Sequence, residues 1–231
     1  MLHILRSNAD RAQAELTLEK VINDLGDLGD VNIESTLIVG KVEKDIGKVA
    51  EEQKVNFIIM GTHGAKGLQK LFGAKAIDVI SKSKVPFITL QEQSKGLNLK
   101  KVAMTIDLEK ESVQIVKAAG KIASEFDAKV VLVGGEHKDE GLQRKVSVNV
   151  KTTRKLLYDM GVDSSVELLP RNNFIKNFIE YCKQNEVGMI AATYYPDTFS
   201  IFSKKFVQNL MENEAELPIL TLDSQAICTL S

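Results

Sequence analysis

Val85-Pro86-Phe87-Ile88-Thr89-Leu90 and Leu217-Pro218-Ile219-Leu220-Thr221-Leu222 are one strand written twice, 132 residues apart. Phe57-Ile58-Ile59-Met60-Gly61-Thr62 recurs at the same offset of 132 residues as Met189-Ile190-Ala191-Ala192-Thr193. Two runs that keep one offset fix the length of everything between them. Loop, helix and closing strand are therefore equally long in both halves, and repetition decides the architecture before any single residue does. Each run is short, apolar and without alternation, the pattern of a strand covered on both faces.

Working outward, Val42, Ile46, Val49 and Ala50 fall at helical spacing before the first copy. Ile175, Phe178, Ile179 and Cys182 do so before the second. The second half reads as a complete series. Strands are expected at Lys101–Asp107, Lys129–Val133, Ser165–Leu169, Met189–Ala192 and Pro218–Asp223. Helices are expected at Glu109–Phe126, Leu142–Met160, Asn173–Asn185 and Phe199–Asn213. Such alternation predicts a mostly parallel α/β sheet with right-handed crossovers.

The first half is shorter. Leu2–Leu5 reads as a second strand, matching Val130–Val133. Helix Ala9–Leu25 follows, with Leu16, Val21, Ile22 and Leu25 on one face. Nothing corresponds to the strand and helix between Lys100 and Ala128. The division is thus an incomplete unit at residues 1–92 and a complete one at 98–225, joined by the polar linker Gln91–Leu99. A doubly wound sheet carries its first strand at the centre. Its absence predicts an unfilled slot with unpaired backbone on both sides. Three outcomes are open: a neighbouring chain fills the slot, the sheet closes up, or the true start lies upstream.

Composition narrows the function. A formal charge of -1 over 231 residues argues against a general electrostatic grip on nucleic acid or an anionic membrane, though a local basic patch stays open. Apolar stretches such as Val187–Tyr195 are far below the roughly 20 residues a bilayer requires. Met1–Asp10 lacks the basic segment of a signal peptide. Cys182 and Cys228 form no CxxC, which suits a reducing compartment, with cytoplasm as the expectation. The absence of Trp speaks against aromatic nucleic-acid platforms.

Met60-Gly61-Thr62-His63-Gly64-Ala65-Lys66-Gly67-Leu68 resembles the universal stress protein family, which carries Gly-Thr-His-Gly after its fourth strand. The resemblance continues through Leu71-Phe72-Gly73 and the Val85-Pro86 strand entry. It implies two flavodoxin-like or Rossmann-like units in tandem, the first lacking its first strand and helix. Some members of that family bind ATP and others do not. On that resemblance Gly61, Thr62, His63, Gly64, Gly73 and Ala74 are the candidate nucleotide residues. The physical logic agrees: the loop leaves a sheet at its carboxyl edge, its glycines let backbone approach a phosphate, and Gly73 opens a helix. The spacing is GxxGxxG, neither a Walker A loop nor GxGxxG.

Two departures weaken the likeness to ATP binders. Gly64 to Gly73 encloses eight residues where those members are similar to Gly-x2-Gly-x9-Gly-Ser/Thr. Ala74 also removes a hydroxyl donor, an interaction of about 0.5–3 kcal/mol. The family's acidic position at the end of its first strand has no counterpart in the first half. In the second half Thr105-Ile106-Asp107 supplies it. There, however, Thr193, Pro196, Lys205 and Phe206 replace Gly61, Gly64, Gly73 and Ala74. Tyr194, Tyr195, Phe199, Phe202 and Phe206 are expected to fill a nucleotide's space, as core or as an interaction surface.

The remaining polar residues read as structural. His63 could touch a phosphate but fits a polar loop; His3 is expected to be packed and His137 solvated. None has metal-ligand spacing. Asp107 is expected to cap the following helix. Asp10 and Asp45 read as helix-start acids, and Lys204-Lys205 near Arg171 as a solvated face. No GxSxG or HExxH is present. The expectation is a stress-response protein acting by ligand or partner binding and conformational coupling rather than catalysis, with a degenerate nucleotide site. The alternatives are an ATP-dependent switch using the first loop, a ligand-free interaction scaffold using Tyr194–Phe206, and a slow ATPase. Phe87–Leu90 and Ile219–Leu222 are expected to pair as an intramolecular pseudo-dimer; a homo-oligomer or a protein partner remains open.

Overall fold

The structure is a computed structural model that describes residues 1–61, 74–91, 98–196 and 204–226. Nine strands are found among these residues: β1 Leu2–Leu5, β2 Thr36–Val39, β3 Ile58–Gly61, β4 Phe87–Leu90, β5 Lys101–Ile106, β6 Lys129–Gly135, β7 Ser164–Leu169, β8 Met189–Tyr194 and β9 Ile219–Asp223. Seven helices accompany them: α1 Arg11–Asp24, α2 Val42–Glu52, α3 Ala74–Ile80, α4 Val116–Glu125, α5 Glu140–Asp159, α6 Phe174–Gln184 and α7 Lys204–Met211.

Seven strands form one sheet in the order β3-β4-β9-β8-β5-β6-β7, and β1 pairs only with β2. Every pairing is parallel except β4 with β9, where Phe87, Ile88 and Thr89 face Thr221, Leu220 and Ile219. The strands that repeat each other in sequence are therefore the seam between the halves, as the pseudo-dimer expectation required. The Thr89 hydroxyl reinforces the seam by donating to the Ile219 carbonyl at 3.4 Å.

Two cores lie on opposite sides of the sheet. One joins Phe87 and Ile190 to α3, α6 and α7, so both halves contribute to it. The other packs Ile88, Met104, Leu132 and Leu220 under α4 and α5. The central strands read as apolar runs because both their faces meet helices. Helix α5 starts where the Asp139 carboxylate accepts the Leu142 N–H at 2.8 Å, and ends at Gly161, whose φ of +73° suits a residue without Cβ.

The first half departs from expectation in three ways. The sheet has not closed up: among the described residues β1 and β3 are not paired, and each leaves an edge open. Helix α1 does not bury its apolar face; Leu16, Val21 and Leu25 are exposed. In the second half the equivalent α5 packs against α4, and α1 has no such neighbour among the described residues. His3 is likewise exposed rather than packed, beside the open edge. Strand β2 was not anticipated, being a four-residue run with no clear bounding signal. In the second half, the stretch expected as one helix over Glu109–Phe126 is a short 3-10 turn, Lys110–Val113, followed by α4.

Candidate functional site

In parallel α/β sheets ligands bind beyond the carboxyl ends of the strands. In the first half that edge is reached at Gly61, which is exposed. Among the described residues a Cβ built there meets no atom within 4 Å. Thr62, His63, Gly64 and Gly73 lie outside the described residues, as does the side chain of Ala74.

At the second-half edge the ends of β5, β6, β7 and β8 are described up to residue 196, and residues 197–203 lie outside the described residues. Asp107 follows β5 and is buried, its backbone carbonyl accepting from Asn149 Nδ2 at 2.7 Å. The same amide reaches the Glu109 carbonyl at 3.1 Å, pinning α5 to the β5 exit. Glu109, not Asp107, occupies the position that opens the 3-10 turn, which corrects the capping assignment. Thr105 and Thr193 are buried and spend their hydroxyls on the carbonyls of Ala191 and Ser112, at 3.5 and 3.4 Å. Pro196 is half-buried and Lys205 exposed.

Tyr194, Tyr195 and Phe206 are all buried. Phe206 packs against Phe174 with ring centroids 6.3 Å apart, and Phe174 stacks on Phe178 at 5.9 Å. Phe199 and Phe202 lie outside the described residues. The three described rings belong to the core, so none of the three contributes to the exposed aromatic surface that the scaffold alternative needed. Burial, followed by the charges of Asp107 and Glu111, pushes the Tyr195 phenol far above its ordinary value, so it stays protonated. Its hydroxyl lies near that of Ser112, yet neither makes a hydrogen bond of ordinary geometry. Burial also lifts the Cys182 thiol to about 12, so it is not a nucleophile at neutral pH.

His137, just past β6, is half-buried rather than solvated. Arg171 Nη1 stands 3.1 Å from its Nδ1 and closer still to Nε2. Burial, then the Arg171 charge, lowers the imidazole pKa below 6.5, while Asp107 and Asp139 oppose the shift. The unfolded chain therefore binds a proton here more readily than the folded one. The resulting stability is fully present above pH 6.5 and is lost as pH falls through the lower folded value. His137→Gln is expected to flatten that slope: between neutral and mildly acid pH its urea midpoint falls less than that of the wild type. Arg171 had been read beside Lys204-Lys205, and only the fold brings it to the β6 exit.

An open cleft of about 810 Å³ runs between α6 and α7, bordered by Arg171, Phe174, Ile179, Lys183 and Asn213. It is distinct from the β5–β8 edge. Among the described residues no group of three His, Cys, Asp or Glu could hold a metal ion. No described helix is long and apolar enough to cross a membrane. The site that sequence reasoning missed is the Asn149 latch; a polar residue in the middle of an otherwise core-facing helical stripe was its signal.

Comparison with known proteins gives a family match for the first part of the chain and a fold for nearly all of it. Residues 2–91 match the model of the Universal stress protein family. Over 83 residues the chain is 31% identical to "Universal stress protein MJ0577" of Methanocaldococcus jannaschii, covering 36% of this chain and 51% of that protein. The chain thus spans about half the length of that curated relative. A universal stress protein from Archaeoglobus fulgidus DSM 4304 has a similar structure, with a TM-score of 0.68 at 15% identity over 94% of this chain and 80% of that one. A putative universal stress protein from Pseudomonas aeruginosa UCBPP-PA14 gives 0.61 at 12%, over 96% and 81%. At these identities the structures speak for the fold.

Proposed function

We infer the function from one premise: this chain belongs to the universal stress protein family, through its residues 2–91. The proposed role is a stress-response function exercised in the cytoplasm by binding and conformational coupling, without turnover. Residues 1–92 and 98–225 are taken as its two units. One observation carries the reading: the described second-half edge is packed with its own side chains, Asp107, Tyr194, Tyr195 and Phe206 all being buried. On this reading those side chains take space that a nucleotide would need, and the second half does not hold ATP.

The second reading is an ATP-dependent switch in the first half. Its support is the exposed Gly61 at the carboxyl edge of β3, where a Cβ meets no atom within 4 Å among the described residues. Gly61, Thr62, Gly64 and Gly73 would hold the phosphates through backbone N–H groups, with Ala74 contributing no hydroxyl.

Calorimetric titration with ATP, with and without Mg²⁺, separates the two. The degenerate-site reading expects no saturable binding by the folded chain. Micromolar binding abolished by Gly64→Val would establish the switch instead. Binding that survives Gly64→Val but is lost in Asp107→Ala would overturn both, because it would place the nucleotide in the second half.

A further inference from the structure

The halves that meet at the β4–β9 seam each carry a long helix after an equivalent strand, α1 after β1 and α5 after β6, and the surfaces at these two helices carry opposite charge. Helix α5 lies at one end, over the terminal strands of the β3-to-β7 order. From Gly141 to Tyr158 it carries Arg144, Lys145, Lys151, Arg154 and Lys155 and no acid. All five cations are exposed, and among the described residues none takes part in an ion pair. Between them Val148 is 56% and Tyr158 81% exposed. Lys151, Arg154, Lys155 and Tyr158 border a shallow depression of about 380 Å³. The one acid on its rim, Asp163, lies 3.9 Å from Lys129.

The segment equivalent to the end of α5 in the first half is the end of α1 and the loop that follows. From Val21 to Gly40 there is no Lys or Arg, and Asp24, Asp27, Asp30 and Glu34 are all exposed. Among the described residues none of the four is ion-paired. Val21, Leu25, Leu28 and Val31 stand exposed among them, Val31 at 63%. Each surface therefore combines unpaired charge of one sign with exposed apolar side chains. A charged rim around apolar contacts is the composition of a protein interface rather than of a merely soluble face.

We propose that these two surfaces recognise each other between copies of this chain. The α5 face of one molecule docks on the Val21–Glu34 face of the next. The occupant of each surface is a second copy, because every molecule of this chain carries the surface complementary to it in charge and alike in exposed apolar side chains. The contact is heterologous, so every added copy presents a fresh basic end and a fresh acidic end, and assembly proceeds head to tail. Charge complementarity of exposed groups is screened beyond about 10 Å at 0.1 M salt, so the association is salt-sensitive. It does not rest on the ligand reading given above.

Sedimentation of the full chain across a concentration series, at about 20 mM and about 500 mM NaCl, is the test. The wild type is expected to gain mass with concentration at low salt and to revert to monomer at high salt. K151E/R154E/K155E has two acidic ends and D24K/D27K/D30K two basic ends; each alone is expected to associate at least about tenfold more weakly. Mixing the two variants is expected to restore association, because each then offers what the other lacks. All the changed residues are exposed, and a wild-type melting profile confirms that both variants fold. A wild type that stays monomeric at low salt overturns the proposal, even where a polyanion binds the α5 face. So does association that persists in both variants, and so does failure of the mixture to recover it.

Discussion

Gly188→Ala is expected to destabilise the protein by about 3 kcal/mol or more, although it adds a single methyl group. A Cβ at this position would stand 1.7 Å from the Asn98 carbonyl oxygen, 2.6 Å from its carbon and 3.1 Å from Leu99 Cα. All three are backbone atoms, which cannot rotate out of the way as a side chain does. The Gly188 N–H donates to the Lys101 carbonyl at 2.8 Å, so the entry to β8 is tied to the start of β5. The preceding residue is tied as well: the Lys100 carbonyl accepts from the Lys129 N–H at 3.0 Å. Relief requires β5 to move against both its neighbours at the centre of the sheet. Gly120→Ala meets Met160 Sδ and Cε at 2.7 Å, the far end of a flexible chain, and Leu157 Cδ2 at an easy 3.4 Å, and is expected to cost less. Gly61→Ala meets nothing and is expected to stay within about 0.5 kcal/mol. Urea midpoints of the three variants check the order. A Gly188→Ala midpoint equal to that of Gly61→Ala would mean that Asn98 and Leu99 yield freely.

Much of this architecture is legible in the sequence because the chain states it twice. The shared offset of Pro86 and Pro218 identifies β4 and β9 as equivalents, and equivalent terminal strands are natural partners across a twofold seam. The open place beside β1 and β3 follows from the same comparison, since β5 and α4 have no counterpart. What the sequence leaves out is tertiary. The apolar stripe of α1 looks core-facing, and is exposed because no described helix packs on it and not because its own pattern is weak. Tyr194, Tyr195 and Phe206 look equally like a surface or a core until the sheet places them inside. His137 and Arg171 are 34 residues apart in the chain, and no local rule joins them. The charge of -1 conceals two oppositely charged ends, because net charge sums away the arrangement that matters for association.

Leu220→Pro is expected to show whether the halves fold as one. Among the described residues β4 and β9 are the two strands with a parallel neighbour on one side and an antiparallel neighbour on the other, and β9 is the one that joins the first half to β8. Leu220 is fully buried, paired with Ala191 on β8 and Ile88 on β4. Proline there deletes an N–H donor in an interior strand and sets a ring against its neighbours, a loss of about 3 kcal/mol or more. For a chain of this size that lowers Tm by about 6–12 °C. The distribution of the loss carries more information than its size. Residues of β3 and β4 reach the main sheet through β9, and Phe87 and Ile77 share a core with Phe178 and Ile190. Amides of Ile58–Gly61 and Phe87–Leu90 are therefore expected to lose hydrogen-exchange protection together with those of Ile219–Asp223. Retention of wild-type protection in β3 and β4, while β9 exchanges freely, would make the seam a contact between independent domains. Joint loss makes it part of one cooperative core, in which an event at the Gly61 edge reaches the Asp107 edge through continuous packing.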